Sequence, residues 1–157
     1  MRRKDREVTD IEKLLEIVEE CEVVRLGFSD EEGPYIVPLN YGYEYKEGKL
    51  SLYIHGAQEG RKAAPLRSGQ KIAIEMDTDH APMEMVEGKV YSYAYKCIIG
   101  TGTPVELLTS EDKRHGLNVL MKHVFKKEIA LPEPMLKAVA VFRIDVDKFT
   151  GKMHSKD

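Results

Sequence analysis

The sequence predicts a mainly β (α+β) protein: an antiparallel, closed or partly open β-barrel with peripheral helices. Three observations predict this class. Short segments with alternating apolar residues recur along most of the chain, and polar turns separate many of them. Clear helical spacing of apolar residues is confined to one segment near each end. Regular βαβ alternation, which would indicate a parallel sheet, does not occur.

The composition indicates a single domain over residues 1–157. This length can bury one sizeable core, and 42% hydrophobic with 32% charged residues excludes a disordered chain. A net charge of −3 argues against nucleic acid as a partner. No apolar run approaches the roughly 18 residues of a membrane span. Two cysteines and the lack of a signal-peptide pattern predict a reducing, cytoplasmic environment.

The first half of the chain predicts a helix followed by hairpins. Residues 9–12 read Thr-Asp-Ile-Glu, a capping-box pattern that predicts a helix ending near Glu20. Three strands are predicted after it, at residues 23–28, 35–45 and 50–55. A polar turn at 29–33 and a tight Lys-Glu-Gly-Lys turn at 46–49 separate them.

The second half predicts strands interrupted by helices and loops. Residues 58–67 predict a short helix broken by Pro65, and 110–125 predict a longer amphipathic helix. Strands are predicted at 71–77, 89–107 and 138–146, and exposed loops at 78–88 and 131–134. The segment 89–107 is long for one strand, so Gly100, Gly102 and Pro104 predict a bulge or a bend.

The densest group of unusual residues runs from His55 to Lys62 (HGAQEGRK), where a strand meets a helix start. Glycines let a backbone approach a ligand closely, and the adjacent pair Arg61 and Lys62 adds the positive charge that a phosphate requires. The alternative is an ordinary strand-to-helix connection with a solvated basic pair. Composition alone favours that alternative, since no P-loop pattern is present.

Two further patterns have functional and structural interpretations. Pro38 lies within a predicted strand, so it marks an edge or an opened ladder whose backbone could bind a planar ligand. Tyr91, Tyr93 and Tyr95 share one face of a strand, as a stacking surface or a packed subunit contact. The five histidines are dispersed and predict no metal site, and no hydrolase motif is present.

Taken together, several segments resemble the nitroimidazole-resistance (Nim) proteins of the pyridoxamine 5′-phosphate oxidase-like flavoproteins. The matching segments are RLG at 25–27, PYIVPLNYGYEY at 34–45, LYIHGAQEGRK at 52–62, YKCIIGTG at 95–102 and FRIDVDKFTGK at 142–152. The resemblance implies an FMN-binding split barrel of six to seven strands. It also implies a homodimer with FMN in a cleft between the subunits.

The resemblance also implies the cofactor-binding residues. They are Pro38, Leu39, Asn40, Tyr41, Tyr53, Ile54, His55, Gly56, Ala57, Arg61, Lys62, Tyr95 and Lys96. The segment from Pro38 to Tyr41 would lie along the flavin ring, and the segment from Tyr53 to Ala57 would continue that wall. Lys62 matches the residue that binds the phosphate, with Arg61 in support. Tyr95 and Lys96 would contact the flavin from the same or the partner subunit.

The resulting prediction is an FMN-dependent oxidoreductase similar to nitroimidazole reductases. Electrons would pass from a reduced nicotinamide, or another donor, through FMN to a small-molecule acceptor. His55 is the predicted catalytic residue, as a proton donor or an anchor for the acceptor. True pyridoxamine-phosphate oxidase activity is disfavoured, because residues 151–157 lack that group's basic substrate-binding motif. The alternative is a non-enzymatic flavin or haem binding protein of the same fold.

Overall fold

The computed structural model describes residues 3–84 and 91–155, which form one antiparallel sheet surrounded by helices. The strands are β1 (Glu7–Val8), β2 (Val23–Asp30), β3 (Gly33–Asn40), β4 (Gly42–Lys46), β5 (Lys49–Ala57), β6 (Ile72–Glu84), β7 (Tyr91–Leu107) and β8 (Val139–His154). The α-helices are α1 (Ile11–Glu20), α2 (Ala63–Arg67), α3 (Ser110–Phe125) and α4 (Glu133–Ala138).

The sheet has the strand order β3-β2-β6-β7-β8-β5-β4, and β1 pairs with β8 outside this path. Its pairings are antiparallel. Within the described ranges no ladder joins β3 to β4, so the barrel stays open between these edges. The predicted split barrel with peripheral helices is confirmed. The main path contains the expected number of strands, and the two-residue β1 is additional.

The predicted first helix is confirmed as α1, and its N-cap is Asp10 rather than the Thr9 of the capping box. The Asp10 carboxylate accepts hydrogen bonds from the backbone N–H groups of Glu12 at 2.8 Å and Lys13 at 3.4 Å. A carboxylate at this position also interacts favourably with the helix dipole. The buried side of α1 contains Leu14, Ile17 and Val18.

The prediction of one strand over residues 35–45 is wrong, because the chain turns at Tyr41 between β3 and β4. The Tyr41 side chain is completely buried, and its hydroxyl donates a hydrogen bond to the Val18 carbonyl at 2.5 Å. This anchored ring fixes a corner in the chain. Beyond the corner, β4 leaves β3 and pairs with β5.

Three other boundaries differ from the sequence-based expectation. Residues 78–84 are not a loop but part of β6, which stays paired with β7 past an irregularity between Thr78 and Ala81. The rest of the predicted loop, 85–88, lies outside the described residues, as do residues 89–90 of the next predicted strand. Strand β8 continues beyond 146 to His154, because it pairs with β7 from Val141 to its end. Helix α4 replaces the end of the loop predicted at 131–134.

The predicted bulge or bend at Gly100, Gly102 and Pro104 is confirmed as a register shift between Thr101 and Gly102 in the β7–β8 ladder. The predicted helix over 110–125 is confirmed as α3, which packs against β4 and β5.

Close packing of α3 requires a glycine in β4. A Cβ on Gly42 would lie 2.5 Å from the Cα of Leu120, so the helix backbone meets the strand backbone here. A second, small core lies under α3 and α4, apart from the barrel core. It consists of Tyr53, Leu107, Leu117, Leu131, Leu136 and Val141.

Candidate functional site

The end of β5 divides its side chains between two faces. Leu52 and Ile54 lie in the barrel core with no exposed surface. His55 projects from the opposite face, where it pairs in register with Val141 of β8. The imidazole is half-buried, and its Nδ1 is enclosed without a hydrogen-bond partner among the described residues. An enclosed ring nitrogen of this kind costs free energy until a water or a ligand satisfies it.

Lys62 lies across Gly56, the residue that follows His55. A Cβ on Gly56 would be 2.6 Å from Lys62 Cε and 2.9 Å from Nζ, so the lysine end occupies the space that any larger residue would fill. Lys62 is half-buried and forms no ion pair within the described ranges. It immediately precedes α2, as that helix's N-cap. Strand alternation places the missing side chain of Gly56, and with it the end of Lys62, on the side of Ile54 rather than that of His55. The Lys62 ammonium affects the His55 imidazole through its charge.

The electrostatics of this group favour a neutral imidazole. Burial lowers the pKa of His55, and the nearby Lys62 ammonium lowers it further. An anion bound at Lys62 would oppose the second effect, because it would neutralise the ammonium. The charge state of His55 is therefore coupled to whatever Lys62 binds.

The Arg61 side chain binds other residues of the same chain. Its guanidinium makes a two-pronged hydrogen bond to the Asp30 carboxylate at 2.7 and 2.8 Å, and it lies 3.4 Å from Glu32. Its guanidinium carbon also lies 4.4 Å from the centre of the Tyr35 ring. These contacts attach the loop before α2 to the β2–β3 turn. The sequence-based expectation of a phosphate contact gave no indication of this role.

Tyr53 lies on the same face as His55 but is also engaged within the protein. Its hydroxyl donates to Glu44 Oε2 at 2.7 Å, and the edge of its ring meets His115 at 5.5 Å between centroids. Glu44 also contacts His115 Nε2 at 3.0 Å and Lys46 Nζ at 2.6 Å. The sequence analysis missed Glu44 and His115. Glu44 could have been found from the tight turn at 46–49, because that turn sets the register between β4 and β5. The register pairs Glu44 with Ser51, and Ser51 is two positions from Tyr53 on the same face of β5.

The segment from Pro38 to Tyr41 presents little side-chain surface for a ligand. Leu39 packs towards the barrel core, and Tyr41 is fully buried. Asn40 is exposed, and its side-chain amide donates to the Glu22 carbonyl at 3.0 Å. Pro38 is exposed on β3, an edge strand. A ligand along this segment would therefore contact mainly backbone atoms and Pro38.

Tyr95 and Lys96 lie far from His55 within one chain. Tyr95 pairs with His154 near the end of β8, whereas His55 pairs with Val141 near its start. About thirteen residues of strand separate these positions, roughly 40 Å of chain. Lys96 forms ion pairs with Glu20 at 2.8 Å and Asp79 at 3.6 Å. The two groups do not converge in a single protomer.

The described residues contain no cluster of three or more side chains that could hold a metal ion. Nor is any helix in these ranges both long and apolar enough to cross a membrane. Cys21 is buried, and burial raises the pKa of its thiol to about 12. Burial raises the pKa of the half-buried Cys97 as well, so neither thiol is activated.

A partly open antiparallel barrel with this strand order and with peripheral helices defines a split-barrel protein. The family model of pyridoxamine 5′-phosphate oxidase matches residues 10–153. The chain belongs to the pyridoxamine 5′-phosphate oxidase family. No curated protein matches the sequence.

Solved structures agree with this assignment. A candidate 5-nitroimidazole antibiotic resistance protein from Bacteroides thetaiotaomicron is 28% identical, with a TM-score of 0.83 over 94% of this chain and 86% of that one. The resemblance inferred from the sequence is thereby confirmed. Two more distant proteins share the fold. The FAD and haem binding protein from Mycobacterium smegmatis is 17% identical (TM-score 0.79, 96% and 74% covered). The flavocytochrome Anf3 from Azotobacter vinelandii is 15% identical (TM-score 0.80, 99% and 72% covered).

Proposed function

We propose that this protein binds FMN and acts as a flavin-dependent oxidoreductase on a small acceptor such as a nitroimidazole. The observation that carries the proposal is the half-buried Lys62 lying on Gly56, which forms no ion pair with the described part of the chain. Its charge acts on His55, whose enclosed Nδ1 has no hydrogen-bond partner among the same residues. A flavin mononucleotide supplies both a phosphate for such a lysine and a polar ring for such a histidine. The residues present therefore fit the cofactor.

Within this proposal, Lys62 binds the phosphate, and the missing side chain of Gly56 leaves room for the end of Lys62. The exposed Pro38 and the backbone of β3 offer a flat edge for the ring. When bound, FMN supplies reversible transfer of electrons between a donor, such as a reduced nicotinamide, and an acceptor. Reduction of a nitro group to an amine consumes protons as well as electrons. His55 is the titratable group at the site that would hold such a proton.

The similar proteins support the flavin part of the proposal. The protein from Bacteroides thetaiotaomicron is described as a candidate 5-nitroimidazole antibiotic resistance protein, and the two others are described as a FAD and haem binding protein and a flavocytochrome. The last two descriptions favour a second candidate function, namely non-catalytic binding of a flavin or of haem. The visible spectrum of purified protein separates these cofactors, since haem gives a Soret band and flavin does not.

The proposal also includes a homodimer, because Tyr95 and Lys96 are too far from His55 in one chain to contact the same flavin. A second copy would bring this end of β7 to the first copy's cofactor. Light scattering should give twice the 17.9 kDa chain mass. A monomer that retains FMN would contradict a shared site.

The test of the proposal compares FMN with riboflavin, which lacks the phosphate. Lys62→Ala should weaken FMN binding by about ten- to a hundredfold, roughly 1.5–3 kcal/mol for a lost charge-assisted contact, and should weaken riboflavin binding far less. Lys49→Ala, an exposed lysine at the other end of β5, is the matched control. Calorimetric titration measures both ligands. Equal losses for the two ligands, or no FMN binding by the wild type, would reject the assignment.

A further inference from the structure

Residues 58–62, here called the Lys62 segment, connect the end of β5 to the start of α2. Gly60 has a φ of +124°, and its carbonyl accepts a hydrogen bond from the N–H of Ala63 at 2.9 Å, so the segment ends in a tight turn. The Lys62 carbonyl accepts a hydrogen bond from the N–H of Leu66 at 3.2 Å, inside α2. The direction in which the Lys62 side chain leaves the backbone therefore depends on the placement of α2.

Helix α2 cannot hold this placement by itself, because it has only five residues. It packs against β7 and β2, and its buried side contains Ala63, Pro65 and Leu66. Before the helix, the ion pair between Arg61 and Asp30 attaches the chain to the β2–β3 turn. The far end of α2 needs a separate attachment.

Arg67, the last residue of α2, provides this attachment through four hydrogen bonds to two residues. Its Nε and Nη2 donate to the Glu106 carboxylate of β7 at 2.9 and 3.0 Å. Its Nη1 donates to the Gln58 carbonyl at 2.8 Å, and Nη2 also donates to Gln58 Oε1 at 3.2 Å. A planar guanidinium suits this arrangement, whereas a lysine ammonium cannot reproduce it. One side chain thus joins the beginning of the Lys62 segment, the end of α2 and a strand of the sheet.

Gln58 also connects the Lys62 segment to α4. Its Nε2 donates to the Lys137 carbonyl at 3.2 Å, in the last turn of that helix. Because Gln58 Oε1 accepts from Arg67 at the same time, both ends of the side-chain amide are bound. The beginning of the Lys62 segment is therefore held from two sides, and its other end is held by α2.

We propose that Arg67 is a positioning residue that keeps the Lys62 ammonium over Gly56 and thereby gives the site its selectivity for a phosphorylated flavin. The identity of the ligand rests on the proposed function, but the placement of the ammonium does not. A charge-assisted hydrogen bond requires a distance of about 2.7–2.9 Å between nitrogen and oxygen, so a small shift of the Lys62 segment weakens it. Contacts to the flavin ring lie elsewhere and should not change. Arg67 itself does not touch the ligand.

The exposure of Arg67 separates this role from a contribution to the fold. The Arg67 side chain is 38% exposed, and an ion pair with this exposure adds little to the free energy of unfolding. Its loss should therefore disturb the site more than the fold. The matched control is Arg114→Gln, because Arg114 is 43% exposed and pairs with Glu133 between α3 and α4. Arg67→Gln and Arg114→Gln should have similar melting temperatures.

The experiment measures FMN and riboflavin binding by calorimetric titration. Arg67→Gln should weaken FMN binding about tenfold and riboflavin binding less than about twofold. Arg67→Lys keeps the charge but not the planar fork, so its loss of FMN affinity should equal that of Arg67→Gln. In a Lys62→Ala background, Arg67→Gln should cause no further loss, because the ammonium that it positions is absent. Arg114→Gln should bind both ligands as the wild type does.

A second measurement needs no flavin. The Lys62 ammonium lowers the pKa of His55, so NMR titration of His55 reports where the ammonium lies. In the flavin-free protein, Arg67→Gln and Arg67→Lys should both raise the His55 pKa, because a released Lys62 segment lets the ammonium move into solvent. The increase should not exceed that in Lys62→Ala. Arg114→Gln should leave the His55 pKa unchanged.

Several results would overturn the inference. Wild-type FMN affinity in Arg67→Lys would show that Arg67 supplies charge rather than position. A further loss of FMN affinity in the Lys62→Ala background would show that Arg67 binds the phosphate directly. Equal losses for FMN and riboflavin in Arg67→Gln would indicate a general disturbance of the site.

The His55 titration separates failure of this inference from failure of the proposed function. A His55 pKa that changes in Lys62→Ala but not in Arg67→Gln would show that the ammonium keeps its place without Arg67. That result would reject the inference even if FMN binds. Absence of FMN binding by the wild type would reject the proposed function, whereas the His55 titration would still decide whether Arg67 positions Lys62.

Discussion

The terminal atoms of Lys62 lie in the space that a side chain on Gly56 would occupy, with Cε 2.6 Å and Nζ 2.9 Å from the position of such a Cβ. The obstacle is the flexible end of a lysine, so a methyl group at Gly56 can be accommodated by moving that end. The position of the Lys62 ammonium thus depends on the absence of a side chain at Gly56.

Gly56→Ala should therefore displace Lys62 without unfolding the protein. We expect FMN binding to weaken by up to about tenfold, with little change for riboflavin, because only the phosphate contact is disturbed. The matched control is Gly27→Ala, where the added Cβ would make an ordinary 3.4 Å contact with Ala73. Calorimetric affinities and melting temperatures of the two variants provide the comparison. A loss shared by both variants would indicate a general effect of the added methyl group.

The pKa of His55 should report on Lys62. NMR titration of the wild-type protein should give a value below the ordinary 6.5, because of burial and the Lys62 ammonium. Lys62→Ala should raise the His55 pKa while leaving it below 6.5, because burial remains. As the folded-state pKa is depressed, protonation of His55 should destabilise the fold as pH falls below 6.5. An unchanged value in Lys62→Ala would mean that the two groups do not interact.

Replacing His55 tests the proposed proton donor. His55→Ala should slow reoxidation of the reduced protein by a nitro acceptor by up to about 10²–10⁴-fold, the usual range for a lost acid or base. FMN affinity should change little, since the phosphate contact lies elsewhere. The wild-type rate should increase as pH falls, because only protonated His55 can donate. Stopped-flow absorbance between pH 5 and 8 measures this. Identical pH profiles in both proteins would remove His55 from the mechanism.

Arg61 should position the loop that carries Lys62 rather than bind the phosphate. Asp30→Asn and Arg61→Gln remove opposite ends of the same ion pair, so they should weaken FMN binding to a similar extent, by less than about tenfold for an exposed pair. Neither should affect FMN binding further in a Lys62→Ala background. If Arg61 binds the phosphate directly, Asp30→Asn will instead free the guanidinium and tighten FMN binding.

Glu44 should make the protein sensitive to acid. Burial would raise the pKa of Glu44, but hydrogen bonds from Lys46, His115 and Tyr53 lower it to about 2, from 4.5. A depressed carboxyl pKa contributes stability above 4.5, at most about 3 kcal/mol, and this is lost as pH falls towards 2. The free energy of unfolding, measured with urea across pH 2–6, should therefore depend less on pH in Glu44→Gln than in the wild type. Parallel curves would exclude Glu44 as a source of the acid sensitivity.

The barrel and the orientation of His55 could be predicted from the sequence, because both follow from the alternation of apolar residues along single strands. Leu52 and Ile54 mark the core side of β5, so His55 had to face the other way. The corner at Tyr41 could not be predicted in this way, since its hydroxyl is anchored to Val18, which is distant in sequence. The same reason explains why the contact between Arg61 and Asp30 could not be predicted. Asp30 is separated from it by 31 residues, and only the folded β2–β3 turn brings the two together.

The polar run 78–84 was misjudged for a related reason. Its residues lack the alternation of a buried strand, yet the segment belongs to the sheet because β7 pairs with it at Thr78 and again from Ala81 to Glu84. Tertiary pairing overrides weak local preference in such segments.

Strand β8 is hydrogen-bonded to β1, β5 and β7, three strands that lie far apart in the sequence. During synthesis, a ribosome that has completed α4 has exposed β5 and β7 but not the strand that joins them. The nascent chain would then carry two open sheet edges, which are prone to pairing with other chains. Closure of the barrel must wait until residue 154 has left the exit tunnel. The risk of such pairing should therefore be greatest just before β8 emerges, and it should fall once β8 has joined the two edges.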